Sequence, residues 1–547
     1  MLPHDVESYQ ELSERFSWDI PDRFNIGVAI CDAWAEKDPD REALVFAEED
    51  GPTTSYSYGD LKRLSNQLAN LLKARGVQPG DRVGVLIPQS PETAIAHIAA
   101  VKLGAITIPL FALFGEEALE YRLKDSGAKA VITDESGAAK LDTIRNDLPD
   151  LTTVFCVDGD LHGAESLSAH MVGHEDTFQP ANTAADDPAI IIYTSGTTGQ
   201  PKGALHGHRV LLGHMPGVEM SHDFLGQQGD RIWTPADWAW IGGLLDVLMP
   251  ALYLGVPVVA CRFKKFTAEA AFQLVQDQKI RNTFLPPTAL KMMRQVETPE
   301  TRWNLNLRSV ASGGETLGAE LIDWGQKAFG LTINEFYGQT ECNMIVSSCQ
   351  QIMDARPGIM GRPVPGHEVD IVSDSGNVLP DETLGNIAVK QPDPVMFLKY
   401  WNNPEATAKK FAGDWLLTGD TGIRDRDGWI RFVGRDDDVI TSSGYRIGPG
   451  EIEDCLIKHP AVAMAGVVGK PDEQRTEIVK AFIVLKQGVD GTDELAKQIA
   501  SFVKTRLAAH EYPREIEFVT TLPMTTTGKV IRRELRDRSV AELETES

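Results

Sequence analysis

The sequence predicts an α/β protein: a large N-terminal domain of two mostly parallel-sheet subdomains plus a β-rich lobe, then a small mobile α+β C-terminal domain. Three observations carry this. From Asp60 to Cys261, helix-periodic stretches alternate with short, wholly apolar runs, the grammar of a parallel sheet with crossover helices. After Gly361 the pattern changes to closely spaced turn residues and short strands. Beyond the acidic run Asp436, Asp437, Asp438 the chain mixes helix and strand patterns, which places a domain boundary between residues 1–435 and 436–547.

In order along the chain, Asp60 to Arg75 sets Leu61, Leu64, Leu68, Leu71 and Leu72 at helical spacing. Gly76, Pro79 and Gly80 stop that helix before an apolar strand at Arg82 to Ile87. Pro91 to Leu103 repeats the helical period and passes through Gly104 into the apolar Ala105 to Leu110. Ala128 to Thr133, Ala189 to Tyr193 and Val256 to Cys261 are further apolar runs, as strands covered on both faces require. The most apolar window, Leu244 to Ala260, is broken by Asp246, Pro250, Gly255 and Pro257 and is too short to span a bilayer, so it is predicted as buried core. In the β-rich lobe, strands are expected at Val369 to Val372, Gly385 to Lys390 and Trp429 to Val433, and the acidic end from Ala541 is expected to fray.

At 547 residues the chain exceeds one hydrophobic core and has length for roughly three to four domain-sized units. Its 42% hydrophobic and 24% charged residues exclude long disorder and fibrous repeats. Lys plus Arg number 53 against 79 Asp plus Glu, a net charge of -26 that argues against nucleic-acid and anionic-membrane partners. An anionic ligand must therefore be met by a locally positive site of a few Lys, Arg and backbone N–H groups. The six cysteines, Cys31, Cys156, Cys261, Cys342, Cys349 and Cys455, are scattered, with neither zinc-site pairs nor disulfide density, which fits a reducing cytosol. The opening Met1 to Asp5 has no basic segment leading into an apolar stretch, so neither a secretory signal nor an integral membrane segment is expected, and a cytoplasmic location is.

The strongest chemical signal is YTSGTTGQPKG, Tyr193 to Gly203. Thr194, Ser195, Thr197 and Thr198 supply hydroxyl donors, Gly196, Gly199 and Gly203 let backbone N–H groups approach phosphate oxygens, and Lys202 offsets polyphosphate charge. The expected geometry is a hydroxyl-rich strand-to-helix crossing. It is not a Walker loop, because no Gly-Lys pair in the chain is followed by Ser or Thr at the required spacing; Gly528 and Lys529 precede Val530. Most Gly/Ser/Thr clusters are solvated turns. This one resembles the phosphate-binding motif of the acyl-adenylate-forming superfamily, which includes acyl-CoA synthetases, firefly luciferase and peptide-synthetase adenylation domains. The later motifs follow in the family's order, and the resemblance runs from about Tyr56 to Arg536.

SGGETLG, Ser312 to Gly318, is similar to the family's adenine-side turn, implying that Gly313, Gly314, Glu315 and Thr316 border the base. EFYGQTE resembles its central segment, implying that Glu335, Phe336, Tyr337, Gly338, Gln339 and Thr340 border the nucleotide. By that resemblance Tyr337 packs on adenine, Thr340 contacts the α-phosphate, and Glu341 holds Mg2+ together with Thr198. WLLTGD, ending at Asp420, resembles the ribose-binding motif, and Gly434 to Glu453 the segment spanning the interdomain hinge. These imply Asp420 and Arg435 on the ribose hydroxyls, Arg446 on the nucleotide and Asp437 at the hinge, while Asp436 and Asp438 are expected as solvated turn residues. LPMTTTGKVIRRELR, Leu522 to Arg536, resembles the C-terminal motif with the catalytic lysine, here Lys529. Met524 replaces the family's usual basic residue, which puts an auxiliary role at that position in question.

The resemblance implies a ligase using ATP, Mg2+ and coenzyme A. A carboxylate attacks the α-phosphate to give acyl-AMP and pyrophosphate, the C-terminal domain turns, and the CoA thiol attacks the acyl carbon. Lys529, Thr340 and Lys202 are the implied catalytic residues, and Ser443 and Gly444 the implied CoA contacts. For the acid, Trp240 in DWAW and Gly338 are the candidates, Trp240 having plain core packing as its alternative. Acetate-type members carry Trp where this chain has Gly338, so room for a longer or ring-bearing acid is expected, worth about 0.8 kcal/mol per buried CH₂. With EYPREIEF, Glu511 to Phe518, the pattern resembles medium-chain acyl-CoA and benzoate-CoA synthetases. The alternatives are an acetyl/propionyl-CoA synthetase, an amino-acid adenylating enzyme and a nucleotide-binding regulator without catalysis. The expected partners are a small carboxylic acid, ATP and CoA, and a homodimer is compatible with the sequence.

Overall fold

The computed structural model describes residues 1–49, 51–194, 200–263, 265–314, 317–435, 438, 440–442, 445–472, 476–504, 506, 512–525 and 529–546, with backbone alone at 441, 445, 446, 451, 476 and 543–546. Contacts divide the chain into two compact units, Met1–Val369 with Val389–Leu416, and Asp370–Ala388 with Leu417–Ser547.

In the first unit, the described residues form two large sheets. One has eight strands in the order Lys399–Tyr400, Lys202–Gly207, Pro188–Thr194, Ile106–Pro109, Arg82–Leu86, Ala128–Thr133, Thr153–Cys156 and Glu165–Ser166. It is parallel from Pro188–Thr194 onward and antiparallel at the Lys202 edge. The other has nine strands and carries Ser309–Gly313 and Ile333–Gln339 side by side and parallel, with Cys342–Ser347 antiparallel beyond them. The crossover helices follow the sequence pattern. Tyr58–Ala74 starts at a Ser57–Asp60 capping box, which satisfies two otherwise orphaned N–H groups, and buries Leu61, Leu68, Leu71 and Leu72. Pro91–Lys102 is buried on all sides, and its Lys102 ammonium is paired with Asp32 and donates to Ser65 Oγ at 2.9 Å. The apolar window Leu244 to Ala260 is core, as expected, folded as a π-turn at Leu244–Leu248, the helix Met249–Leu254 and the start of the strand Val258–Arg262.

One local expectation is corrected. The phosphate-loop motif is not a strand-to-helix crossing, because strand Pro188–Thr194 is followed by a second strand, Lys202–Gly207, antiparallel to it with Thr194 opposite Lys202. Ala204 and Leu205 are buried in that sheet, and Gly203 makes room for its neighbours: a Cβ there would lie 2.8 Å from Ile191 Cγ2 and 3.2 Å from the Tyr193 ring. Extended pairing is thereby favoured over a helix start.

In the second unit, residues 420–424 of the strand Trp415–Arg424 pair antiparallel with Ile430–Arg435. A further sheet orders Tyr445–Ile447, Ile440–Ser442, Thr476–Leu485 and Val462–Asp472, with Glu515–Phe518 parallel to Thr476–Leu485. Helices Pro449–Ile457, Asp493–Lys504 and Arg532–Glu546 complete an α+β fold. Two expectations fail here for electrostatic reasons. Asp438 is not a solvated turn residue: it is 8% exposed and receives Arg532 at 3.2 Å and Arg536 at 2.7 Å, two guanidinium groups one helical turn apart. The acidic end is helical through Glu546, and Glu542 lies 2.5 Å from the ammonium of Lys480, a buried lysine that also pairs with Glu515 and Glu517. A buried ammonium requires carboxylates, and the last helix supplies one. Asp436 and the hinge candidate Asp437 lie outside the described residues.

Candidate active site

Thr194 and Lys202 face each other across the base of the phosphate-loop hairpin, whose tip, with the candidates Ser195, Gly196, Thr197, Thr198 and Gly199, lies outside the described residues. The half-buried Lys202 places its ammonium 5.4 Å from the centre of the Tyr400 ring. Tyr400 sits on the edge strand opposite Ala204, and the next residue, Trp401, donates its N–H to Gly203 O at 2.6 Å. The Tyr400 hydroxyl donates to Glu341 Oε1, and Phe397 N–H donates to Glu341 O at 2.8 Å. Lys202 and Glu341, distant in sequence, thus both lie against one tyrosine that the sequence reading missed, Lys202 at its ring and Glu341 at its hydroxyl. Burial, and then the Glu341 charge, push the Tyr400 phenol above its ordinary pKa, so it remains a donor. Glu341 is 6% exposed. Among the described residues no three His, Cys, Asp or Glu converge as a metal cage. One carboxylate oxygen beside the candidate phosphate loop would suit Mg2+ nonetheless, since that ion keeps waters and binds through one or two carboxylates plus substrate phosphates.

In the turn expected to border adenine, Gly314 adopts φ +93°, a left-handed conformation glycine supplies without strain. Gly313 is required by packing, since a Cβ would stand 2.6 Å from the Phe336 ring. Phe336 turns inward, its ring tilted 57° against Phe284 at 5.1 Å, whereas Glu335 and Tyr337 alternate to the other face of the strand. The Glu335 carboxylate accepts Leu317 N–H at 3.2 Å, which ties this strand to the glycine turn; Glu315 and Thr316 lie outside the described residues.

Gly338 and Gln339 end the strand Ile333–Gln339, Thr340 and Glu341 form the turn into strand Cys342–Ser347, and Gln339 Oε1 accepts Lys410 Nζ at 3.1 Å. A Cβ at Gly338 would stand 2.5 Å from both Asn343 Cα and Met344 N. Asn343 Nδ2 in turn donates to the buried Asp246 at 2.7 Å, joining this turn to the segment that carries Trp240. Burial pushes the Asp246 carboxyl well up and that of Asp237, in DWAW, up to about 6. Trp240 is half-buried with its ring centre 5.3 Å from Phe111 and 6.1 Å from Phe114; the Arg122 guanidinium lies 4.0 Å over the far partner, Phe114. Phe111 and Phe114 also escaped the sequence reading, because a turn phenylalanine carries no spacing signal.

In the second unit, Asp420 and Arg435 are strand partners with Arg435 Nε 3.9 Å from Asp420 Oδ1. Arg446 lies on strand Tyr445–Ile447 opposite Thr441, and Ser443 and Gly444 lie outside the described residues. Lys529 has an exposed side chain and a fixed backbone: its N–H donates to Thr525 Oγ1 at 3.0 Å and its carbonyl accepts Thr525 N–H at 2.7 Å. The neighbouring Val530 packs on the buried group of Val468, Phe482, Leu522 and Leu535.

Comparison with known proteins shows the family of the chain. One family model, AMP-binding enzyme, matches residues 31–401, and a second, AMP-binding enzyme C-terminal domain, matches residues 451–529. The chain is 35% identical over 554 residues to the acetyl-coenzyme A synthetase of Bacillus subtilis (strain 168), covering 97% of this chain and 95% of that protein. It is 34% identical over 541 residues to the mitochondrial acyl-coenzyme A synthetase ACSM4 of Homo sapiens, covering 96% and 93%. The anthranilate CoA ligase AuaEII, solved in complex with anthranoyl-AMP, is similar at a TM-score of 0.87 and 30% identity, covering 96% of this chain and 99% of that one. Among the described residues no helix is long and apolar enough to cross a membrane.

Proposed function

The chain belongs to the AMP-binding enzyme family, and from that premise we infer that it is an AMP-forming acyl-CoA synthetase. It converts a carboxylic acid and ATP to acyl-AMP and pyrophosphate, and acyl-AMP and coenzyme A to acyl-CoA and AMP. The observation that carries this reading is the meeting of Lys202 and Glu341 through Tyr400 beside the phosphate-loop hairpin. A cation for the polyphosphate and a carboxylate for its counter-ion are the two tools that displacement of pyrophosphate requires.

In the adenylation step Lys202 neutralises charge on the departing phosphates, and Thr340 donates to an α-phosphate oxygen. Tyr337 takes the adenine face, and Asp420 with Arg435 serves the ribose. Glu341 would hold Mg2+, which when bound offsets polyphosphate charge and favours the leaving pyrophosphate. Lys529 is assigned the catalytic lysine, stabilising charge on the acid and the α-phosphate as the bond forms. A hinge near Asp437 lets the same enzyme serve the second half-reaction, with Ser443 and Gly444 toward coenzyme A. The acid is assigned to the short- or medium-chain fatty or aromatic class. Side-chain-free Gly338 and the aromatic group of Trp240, Phe111 and Phe114 support that choice over acetate alone. All six cysteines are buried, and none is in a disulfide, which suits a cytoplasmic enzyme.

The test is product analysis with ATP, Mg2+, CoA and a panel from acetate through octanoate to benzoate and 2-aminobenzoate. AMP and acyl-CoA are expected in equal amounts, with a longer or aromatic acid preferred. Formation of ADP and phosphate, or of no acyl-CoA from any acid, contradicts the assignment.

A further inference from the structure

No motif read in the sequence gives Tyr400 a role, yet the structure ties it to two groups assigned to the nucleotide. Its hydroxyl donates to Glu341 Oε1, so one carboxylate oxygen is engaged and Oε2 is the one left for a cation. Its ring lies 5.4 Å from the Lys202 ammonium, within reach of a cation–π attraction. Its backbone is held from several sides: Tyr400 N–H donates to Thr407 Oγ1 at 3.0 Å, Trp401 N–H to Gly203 O at 2.6 Å, and Tyr400 is paired with Ala204. Three residues earlier, Phe397 N–H holds the carbonyl of Glu341 itself, and the Phe397 and Tyr400 rings pack edge to face at 4.9 Å. One short segment therefore fixes both the main chain and the side chain of the proposed metal carboxylate.

We propose that Tyr400 is a positioning residue that holds Glu341 as a single-oxygen ligand for a divalent cation and keeps Lys202 in register with it. The proposal rests on Glu341 being the metal carboxylate. Without the phenol the carboxylate is free to rotate or to turn both oxygens to the cation. Hydrogen bonds to metal ligands of this kind typically carry about 10- to 100-fold in metal affinity. A phenol that merely satisfies a buried carboxylate would change the melting temperature and leave cation affinity alone.

The experiment titrates Mn2+ by electron paramagnetic resonance into the full-length enzyme with α,β-methylene-ATP, which requires no turnover. Tyr400→Phe is expected to weaken Mn2+ about 10-fold or more, with analogue binding in EDTA within about twofold of wild type. Tyr400→Leu, which also removes the ring from Lys202, is expected to weaken analogue binding in EDTA as well. Glu341→Asp draws the carboxylate away from the phenol and is expected to reproduce the Mn2+ loss, which keeps the test decisive should a Tyr400 variant fail to fold. Wild-type Mn2+ affinity in Tyr400→Phe or Glu341→Asp, alongside a loss in Glu341→Gln, overturns the role of Tyr400 and spares that of Glu341. Wild-type Mn2+ affinity in Glu341→Gln overturns the metal reading itself and this proposal with it.

Discussion

Gly338→Ala is the smallest change that probes how tightly the catalytic turn is built. The added Cβ would stand 2.5 Å from Asn343 Cα and Met344 N, about 0.9 Å short of the 3.4 Å at which ordinary contact begins. Both atoms are backbone, so rotating the Asn343 side chain, which is also in contact, cannot relieve the clash. The turn carrying Thr340 and Glu341 must move instead. Overpacking of this size costs about 1–3 kcal/mol, and if the strain is relieved by displacing Thr340 and Glu341 the rate falls by about 5- to 150-fold. The assay is acid-dependent pyrophosphate release with acetate, octanoate and benzoate, paired with thermal melting. All three acids should lose rate together, because the defect lies at the phosphate end and not in acid fit. Gly338→Trp should fall further, and octanoate and benzoate should lose more than acetate, because the indole also fills the room assigned to the longer acid. Wild-type rate and melting temperature in Gly338→Ala, or a Gly338→Trp enzyme with an unchanged chain-length profile, would refute this reasoning.

Lys529→Ala should leave the melting temperature unchanged, because the truncated side chain is exposed, and slow acyl-AMP formation by about 10²–10³-fold while sparing thiolation of preformed acyl-AMP. Equal losses in both half-reactions would remove Lys529 from the adenylation step. Asp438→Ala strips two guanidinium groups of their shared carboxylate and should destabilise the C-terminal fold by about 3 kcal/mol in urea; a loss below about 0.5 kcal/mol would mean solvent already screens the pair. Asp237 has a folded pKa raised to about 6 from an ordinary 3.8, so the folded state holds the extra proton and stability falls as pH rises from about 4 to about 6. Asp237→Asn should flatten that fall by about 1–3 kcal/mol in pH-dependent melts, and an unchanged slope would place the Asp237 titration elsewhere.

What the sequence made legible was whatever is local. Apolar runs such as Ala128 to Thr133 could only be buried strands, and the Leu61 to Leu72 period with Ser57 and Asp60 at its start specified a capped helix. The resemblance-bearing motifs marked Thr194, Lys202, Gly314 and Glu341, whose chemistry is carried in their own side chains or backbone freedom. What escaped depends on partners supplied from far along the chain. Tyr400 matters because the fold pairs it with Ala204 and points it at Glu341. Asp438 looked the same as its two acidic neighbours until the arginines at 532 and 536 were placed on one helix face above it. The strand after the phosphate loop is too short to show a period, and its extended form is set by Ile191 and Tyr193 packing over Gly203. Phe111 and Phe114 join Trp240 only through the folding of their turn.

The account depends most on an enzyme-bound acyl adenylate being formed between Lys202, Thr340 and Glu341 before coenzyme A takes part. Exchange of labelled pyrophosphate into ATP, run without coenzyme A, reports that step alone. Exchange that requires both Mg2+ and a carboxylic acid, and that disappears in Glu341→Gln, is the predicted result. Exchange that proceeds without any acid, or that appears only after coenzyme A is added, would contradict it.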